Sequence, residues 1–204
     1  MKRFTPLCFA LALALPGAVS GVTIVDDSWA SGTRTSPPND ASWWASTTSS
    51  AIEVYPGELG LISGTSGRGI HGIFTAQSLG IGQTLTATFD FTTPATVGSA
   101  KSAAFRIGLF DTTGHLPGLE ADISASSGSP NPVYNNLFGY MMDFDVNTGT
   151  EDISVRERSN PASGQLMAVT SDYTFLSGGG NSYSFAANTA YRGVMSITRT
   201  GADS

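Results

Sequence analysis

Cys8 is the only cysteine in the chain. No disulfide can therefore form within residues 21–204, and stability must come from a packed core, a bound ion, or both. Charge is scarce too: Asp, Glu, Lys and Arg make up 13% of the residues, and the acidic ones outnumber the basic ones 16 to 10. So few basic residues argue against nucleic acid and anionic lipid as partners. Neutral sugars and divalent cations remain compatible. There are two histidines, His71 and His115, and no Ser-His-Asp order with a nucleophile elbow. His71, in Arg68-Gly69-Ile70-His71-Gly72-Ile73-Phe74, reads as a structural strand histidine rather than a ligand. Gly178-Gly179-Gly180 is followed by neither a lysine nor a helix, which excludes a phosphate loop. Helical periodicity is nearly absent, and no internal repeat is visible.

The N-terminus carries an address. Lys2 and Arg3 precede an apolar run from Leu7 to Leu15, and Pro16-Gly17 and Ala18-Val19-Ser20 follow. This is the pattern of a secretory signal peptide cut after Ser20. The run falls short of the roughly 20 apolar residues that a membrane span needs. Residues 1–20 are therefore expected to be a cleaved leader. Residues 21–204 are expected to be one domain, secreted or at the cell surface, with no membrane-spanning segment. Lys2 and Arg3 are lost with the leader and no acidic residue is, so the mature chain is more acidic than the −6 of the whole.

The mature chain is rich in Gly, Ser and Thr, yet its aromatic and β-branched residues are too frequent for disorder. Thr84-Leu85-Thr86-Ala87-Thr88-Phe89-Asp90-Phe91 alternates strictly between polar and apolar, as a half-buried strand does. Phe105, Ile107 and Leu109 form one face of the next strand, opposite Arg106. Tyr140, Met142, Phe144 and Val146 alternate with Met141, Asp143 and Asp145, and Ile153 and Val155 with Ser154, Arg156 and Arg158. Further strands are predicted at 22–25, 52–55, 58–62, 70–75 and 191–198. Turns are predicted at Tyr55-Pro56-Gly57, 64–67, Leu116-Pro117-Gly118, 129–132, Asn147-Thr148-Gly149 and Gly178-Gly179-Gly180. Residues 31–42 and 112–136 read as loops. Many short antiparallel strands without helices between them predict an all-β sandwich or barrel.

Two segments hold candidate site residues. Asp143, Asp145, Asn147 and Asp152 lie in one oxygen-rich strand and turn, and hard cations such as calcium take several such oxygens. The segment is not an EF-hand, because Gly149 falls at the seventh position where that loop needs glycine at the sixth. The plainer reading is a solvent-facing acidic strand ion-paired with Arg156 and Arg158 on a neighbour. In Trp43-Trp44, adjacent strand positions would send one indole inward and the other outward. The outward one could stack on a sugar ring, although a pair of core anchors is the simpler account.

Three blocks carry a resemblance. They are Asp26-Asp27-Ser28-Trp29-Ala30 with Gly32-Thr33-Arg34-Thr35; Arg156-Glu157-Arg158 with Ala162-Ser163-Gly164 and Leu166; and Ser177-Gly178-Gly179-Gly180 with Thr198-Arg199-Thr200. Together they resemble secreted bacterial proteins of the PEP-CTERM sorting type that carry a LamG-like domain. The resemblance implies a concanavalin A-like jelly-roll β-sandwich of two antiparallel sheets. It also implies a non-catalytic cell-surface or extracellular-matrix module, with polysaccharide as the candidate partner. Ligand-binding candidates are then Trp43, Trp44, Arg106, Arg156 and Arg158. Members of that family continue with further strands, a Pro-Glu-Pro motif, a membrane helix and a basic tail. This chain stops at Ser204, so its last strands and sorting tail are expected to be missing. The acidic segment is similar to the metal-binding strand of legume-type lectins, and that likeness makes Asp143, Asp145, Asn147 and Asp152 calcium ligands. Jelly-roll glucanases use Glu-x-Asp-x-Glu or Glu-x-Asp-x-x-Glu. Here Met141-x-Asp143-x-Asp145 and Asp143-x-Asp145-x-Asn147 each lack a carboxylate at one end. A glycoside hydrolase or lyase is therefore the alternative rather than the expectation, and an envelope protein with no ligand is the other.

Overall fold

The computed structural model describes residues 21–46, 52–61, 69–97, 104–112, 114, 118–123, 130–146, 153–180 and 184–202. The leader and the turn residues Asn147 and Thr148 lie outside them. So do Asp152 and His115.

The described chain is all-β and antiparallel, with ten strands: β1 Ser42–Ala45, β2 Ile52–Tyr55, β3 Glu58–Leu61, β4 Ile70–Ile73, β5 Thr84–Thr92, β6 Ala104–Asp111, β7 Phe138–Asp145, β8 Ile153–Arg158, β9 Tyr173–Gly179 and β10 Ala190–Thr198. The only helical pieces among the described residues are two 3-10 turns, Pro132–Tyr134 and Thr170–Asp172. No helix among these residues is long and apolar enough to cross a membrane.

The described strands join into four sheets rather than the expected two: β1–β4, β2–β3, β5–β10 and β6–β7–β8–β9. The short β1 shows one reason. The backbone of Trp43 donates to Arg34 O, that of Ala45 donates to an Asp122 carboxylate oxygen, and Ala45 O accepts from Ile123 N. Loop groups thus satisfy the edge where another strand would otherwise pair.

In β5 the predicted alternation holds along its whole length, with Leu85, Ala87, Phe89 and Phe91 half-buried and the residues between them exposed. Its partner β10 repeats the pattern, burying Met195. The outward faces of the two strands match polar pairs across the ladder: Thr84 with Thr198, Thr86 with Ser196, and Asp90 with Arg192. The inward faces meet the large sheet through aromatic rings. Phe91 lies 4.7 Å from Phe105 on β6 and 5.5 Å from Tyr191 on β10, and Phe105 lies 5.8 Å from Phe144 on β7.

The other face of the large sheet is covered as well. Leu119, Ile123, Tyr134 and Leu137 form a buried cluster, against which Ile73, Phe110, Val133 and Leu166 pack. Here the structure corrects three sequence expectations. Residues 22–25 form no strand. Gly178 and Gly179 do not turn the chain; they belong to β9 and pair with Ser154 and Ile153. Finally, the supposed wet face of β7 is covered, since Met141 is fully buried and the Asp143 side chain is only 11% exposed. Loop 159–169 lies across that face and supplies the Met167 and Ala168 carbonyls to Arg106.

Candidate functional site

Trp43 and Trp44 diverge, as neighbours on a strand must. The Trp43 Nε1–H donates to Asp27 Oδ2 at 2.6 Å, and its ring meets Trp29 edge-on at 5.5 Å. A Cβ at Gly72, its cross-strand partner, would stand 2.9 Å from the Trp43 ring. Glycine is therefore what lets the indole lie flat on β4. Asp27 also accepts from the backbone N–H groups of Asp40 and Ala41, which clamps the N-terminal segment onto the start of β1.

Trp44 turns the other way and lines a cleft of about 440 Å³. Ile73 and Phe74 supply further apolar wall, and Ser36, Asp40, Ser42, Thr75 and Glu120 supply oxygens. Phe74 is 36% exposed. The Trp44 ring is held from outside the cleft lining by Arg34, whose guanidinium sits 5.7 Å from the ring centroid. Arg34 in turn forms a fork with Asp122, both bonds 2.6 Å long. That pairing raises the Arg34 pKa and holds the Asp122 carboxyl below its ordinary range, with burial opposing each shift. Behind Trp44, its cross-strand partner His71 donates from Nε2 to Leu119 O at 2.7 Å. His71 thus serves as the structural histidine expected of it. Burial lowers its pKa and pushes that of neighbouring Tyr134 up to about 12. The Trp44 Nε1–H and the His71 Nδ1 are both buried without a hydrogen-bond partner among the described residues.

The arginine candidates occupy the covered face of the large sheet, away from this cleft's lining. Arg106 donates to Asp143 at 3.0 Å and to the carbonyls of Met167 and Ala168. Arg156 lies 4.0 Å from Asp143, bonds Ser154 Oγ and stacks over Phe175 at 5.4 Å. Arg158 is 3% exposed and donates to Ser163 O. All three work within the fold. Asp143 has the ion-pair role that the plainer reading gave it, with Arg156 as expected, but Arg106 takes the place expected of Arg158. Asp145 ends β7, and no cluster of three or more metal-ligating side chains occurs among the described residues.

Sequence reasoning singled out Trp44 but missed Phe74, Asp40 and Glu120. Asp40 and Glu120 lie in segments that read as loops, 80 residues apart in the chain, and only the fold brings them to one cleft. Phe74 carried a weak signal as an aromatic at the end of a predicted strand. The chain matches no family model, no curated protein and no solved structure.

Proposed function

We propose that this protein is an exported, non-catalytic cell-surface or extracellular-matrix module that binds polysaccharide in the Trp44 cleft. One observation carries the reading: Trp44 and a partly exposed Phe74 lie beside five oxygen-bearing side chains in an open cleft. Sugar rings offer an apolar C–H face and a rim of hydroxyls, and such a lining meets both. The signal-peptide pattern at residues 1–20 supports export, and the three sequence blocks support a secreted protein of the PEP-CTERM type. The contact between two antiparallel layers through Phe91, Phe105 and Phe144 supports a concanavalin A-like jelly roll. Calcium at Asp143, Asp145, Asn147 and Asp152 belongs to the same proposal and rests on their oxygen-rich chemistry. Such an ion must compete with Arg106 for Asp143.

A glycan array probed with the protein tests the reading. Binding should appear for at least one polysaccharide and vanish in Trp44→Ala, while Arg156→Ala keeps it. Binding that survives Trp44→Ala would place the site elsewhere. The enzyme alternative has one observation behind it, the two carboxylates Asp40 and Glu120 lining one cleft. Release of reducing sugar from laminarin or xylan, lost in Glu120→Gln, would replace the binding module with a hydrolase.

A further inference from the structure

Both ionised side chains among the described residues that line the cleft, Asp40 and Glu120, are acids. Neither carboxylate forms an ion pair in the described structure. Asp40 accepts a backbone N–H from Asp26 at 2.8 Å, which leaves oxygen lone pairs to spare on an exposed side chain. Glu120 is likewise exposed. Arg34, the guanidinium stacked on Trp44, does not offset them, because its charge is matched by the Asp122 fork.

We infer that the cleft rejects anionic sugar units and takes neutral ones. The inference rests on the polysaccharide-binding reading and adds the substrate class. A carboxylate accepts short, charge-assisted hydrogen bonds from hydroxyl groups, so a neutral hexose or pentose can give donors to Asp40 and Glu120 while its C–H face lies on Phe74 or Trp44. A uronate or sulfated unit brings like charge into the same cleft, and that repulsion is the selective element. An amino sugar would gain attraction from the two acids.

Affinity electrophoresis of the protein through gels containing single polysaccharides tests this at low ionic strength, where charge effects are least screened. Laminarin, xylan and agarose are the neutral probes, alginate and pectate the anionic ones, and chitosan the cationic one. At least one neutral gel should retard the protein, alginate and pectate should not, and chitosan measures the attraction of the acidic surface as a whole, which Trp44→Ala and Phe74→Ala should leave in place. Glu120→Gln turns a charge-assisted bond into an ordinary one and should weaken retardation by the neutral polymer about fivefold. Strongest retardation by alginate or pectate, abolished in Trp44→Ala or Phe74→Ala, would keep the cleft as the site and overturn its rejection of anionic sugars. Neutral retardation untouched by either aromatic substitution would overturn the cleft itself. Retardation by no neutral polymer overturns both. Phe74→Ala removes a partly exposed ring, so its effect stays interpretable even where Trp44→Ala unfolds the protein.

Discussion

Arg158 is almost fully buried, yet its Nε and Nη1 have no hydrogen-bond partner among the described residues. Burial lowers its pKa, and only the fields of Tyr173 and Asp172 oppose that shift. Asp172 does not depend on it, since Asn160 Nδ2 and Ser163 Oγ already donate to that carboxylate. Exchanging a poorly paired buried charge for an apolar chain of similar length is often neutral or stabilising by about 1–4 kcal/mol. Arg158→Met should therefore melt at or above the parent protein, and Arg158→Ala below it because of the void it leaves. A sharp drop in Arg158→Met would mean that the two nitrogens are satisfied after all. His71 makes a second prediction at this scale. Burial holds its pKa below the ordinary 6.5, against the opposing pull of the Leu119 carbonyl and the Asp122 charge. Between the two pKa values the unfolded chain binds a proton that the folded chain refuses. Stability therefore rises with pH across that window and falls as the pH drops below about 6.5. Melting temperatures at pH 7.5 and pH 5 should show this loss, and His71→Gln, which keeps a donor for Leu119 O, should flatten it. Asp122 and Asp90 do not blur the comparison. Their pKa values lie below 3.8, so the stability they add is lost only in stronger acid.

The elements were legible where one pattern decided them. In β5 and β10 one face is wet and the other buried, so period-two alternation is enough to place every side chain. β7 and β8 were found as strands, but their environment was misread. A polar residue such as Asp143 looks solvent-facing until a distant loop covers it and supplies Arg106 and the carbonyls it needs. β9 was hidden by its glycines, which pair in a ladder although they read as turn residues. Two loops, 130–136 and 159–164, lock together by hydrogen bonds from Asn131 N to Gly164 O and from Asn136 N to Pro161 O. No local pattern announces such a junction. It can be tested at Gly164, where a Cβ would stand 2.5 Å from Asn131 N and 2.8 Å from Asn131 O. Both are backbone atoms, so no rotamer change relieves the clash. Gly164→Ala should cost roughly 1–3 kcal/mol, the usual penalty of overpacking, as a lower urea midpoint with an unchanged m-value. An unchanged midpoint would show that the junction yields freely.

At the scale of the whole molecule, the residues that carried the family resemblance serve the framework. Asp27 clamps Trp43, Arg34 grips Asp122, Ser163 bonds Asp172, and Arg199 donates to the carbonyls of Leu79, Gly201 and Ala202. A sequence pattern of this kind says how the chain folds, whereas the cleft is built from Trp44, Phe74, Asp40 and Glu120, which the fold gathers from separate segments. The acidic segment at the end of β7 is where the two kinds of information compete. Its oxygens suit calcium, while Asp143 is already neutralised by Arg106 and approached by Arg156. An ion that binds only the folded state raises stability by RT ln(1 + [L]/Kd), about 2.7 kcal/mol at a hundredfold excess over Kd. For a domain of this size that amounts to several degrees in melting temperature. If the calcium proposal holds, millimolar calcium should raise the melting temperature over that in excess chelator, and Asp145→Ala should remove the rise while the protein still folds. If the arginine pairing is the whole story, the two curves coincide. Arg106→Ala should then lower the melting temperature equally in both buffers, because it strands a mostly buried Asp143 carboxylate beneath loop 159–169 whatever the calcium concentration.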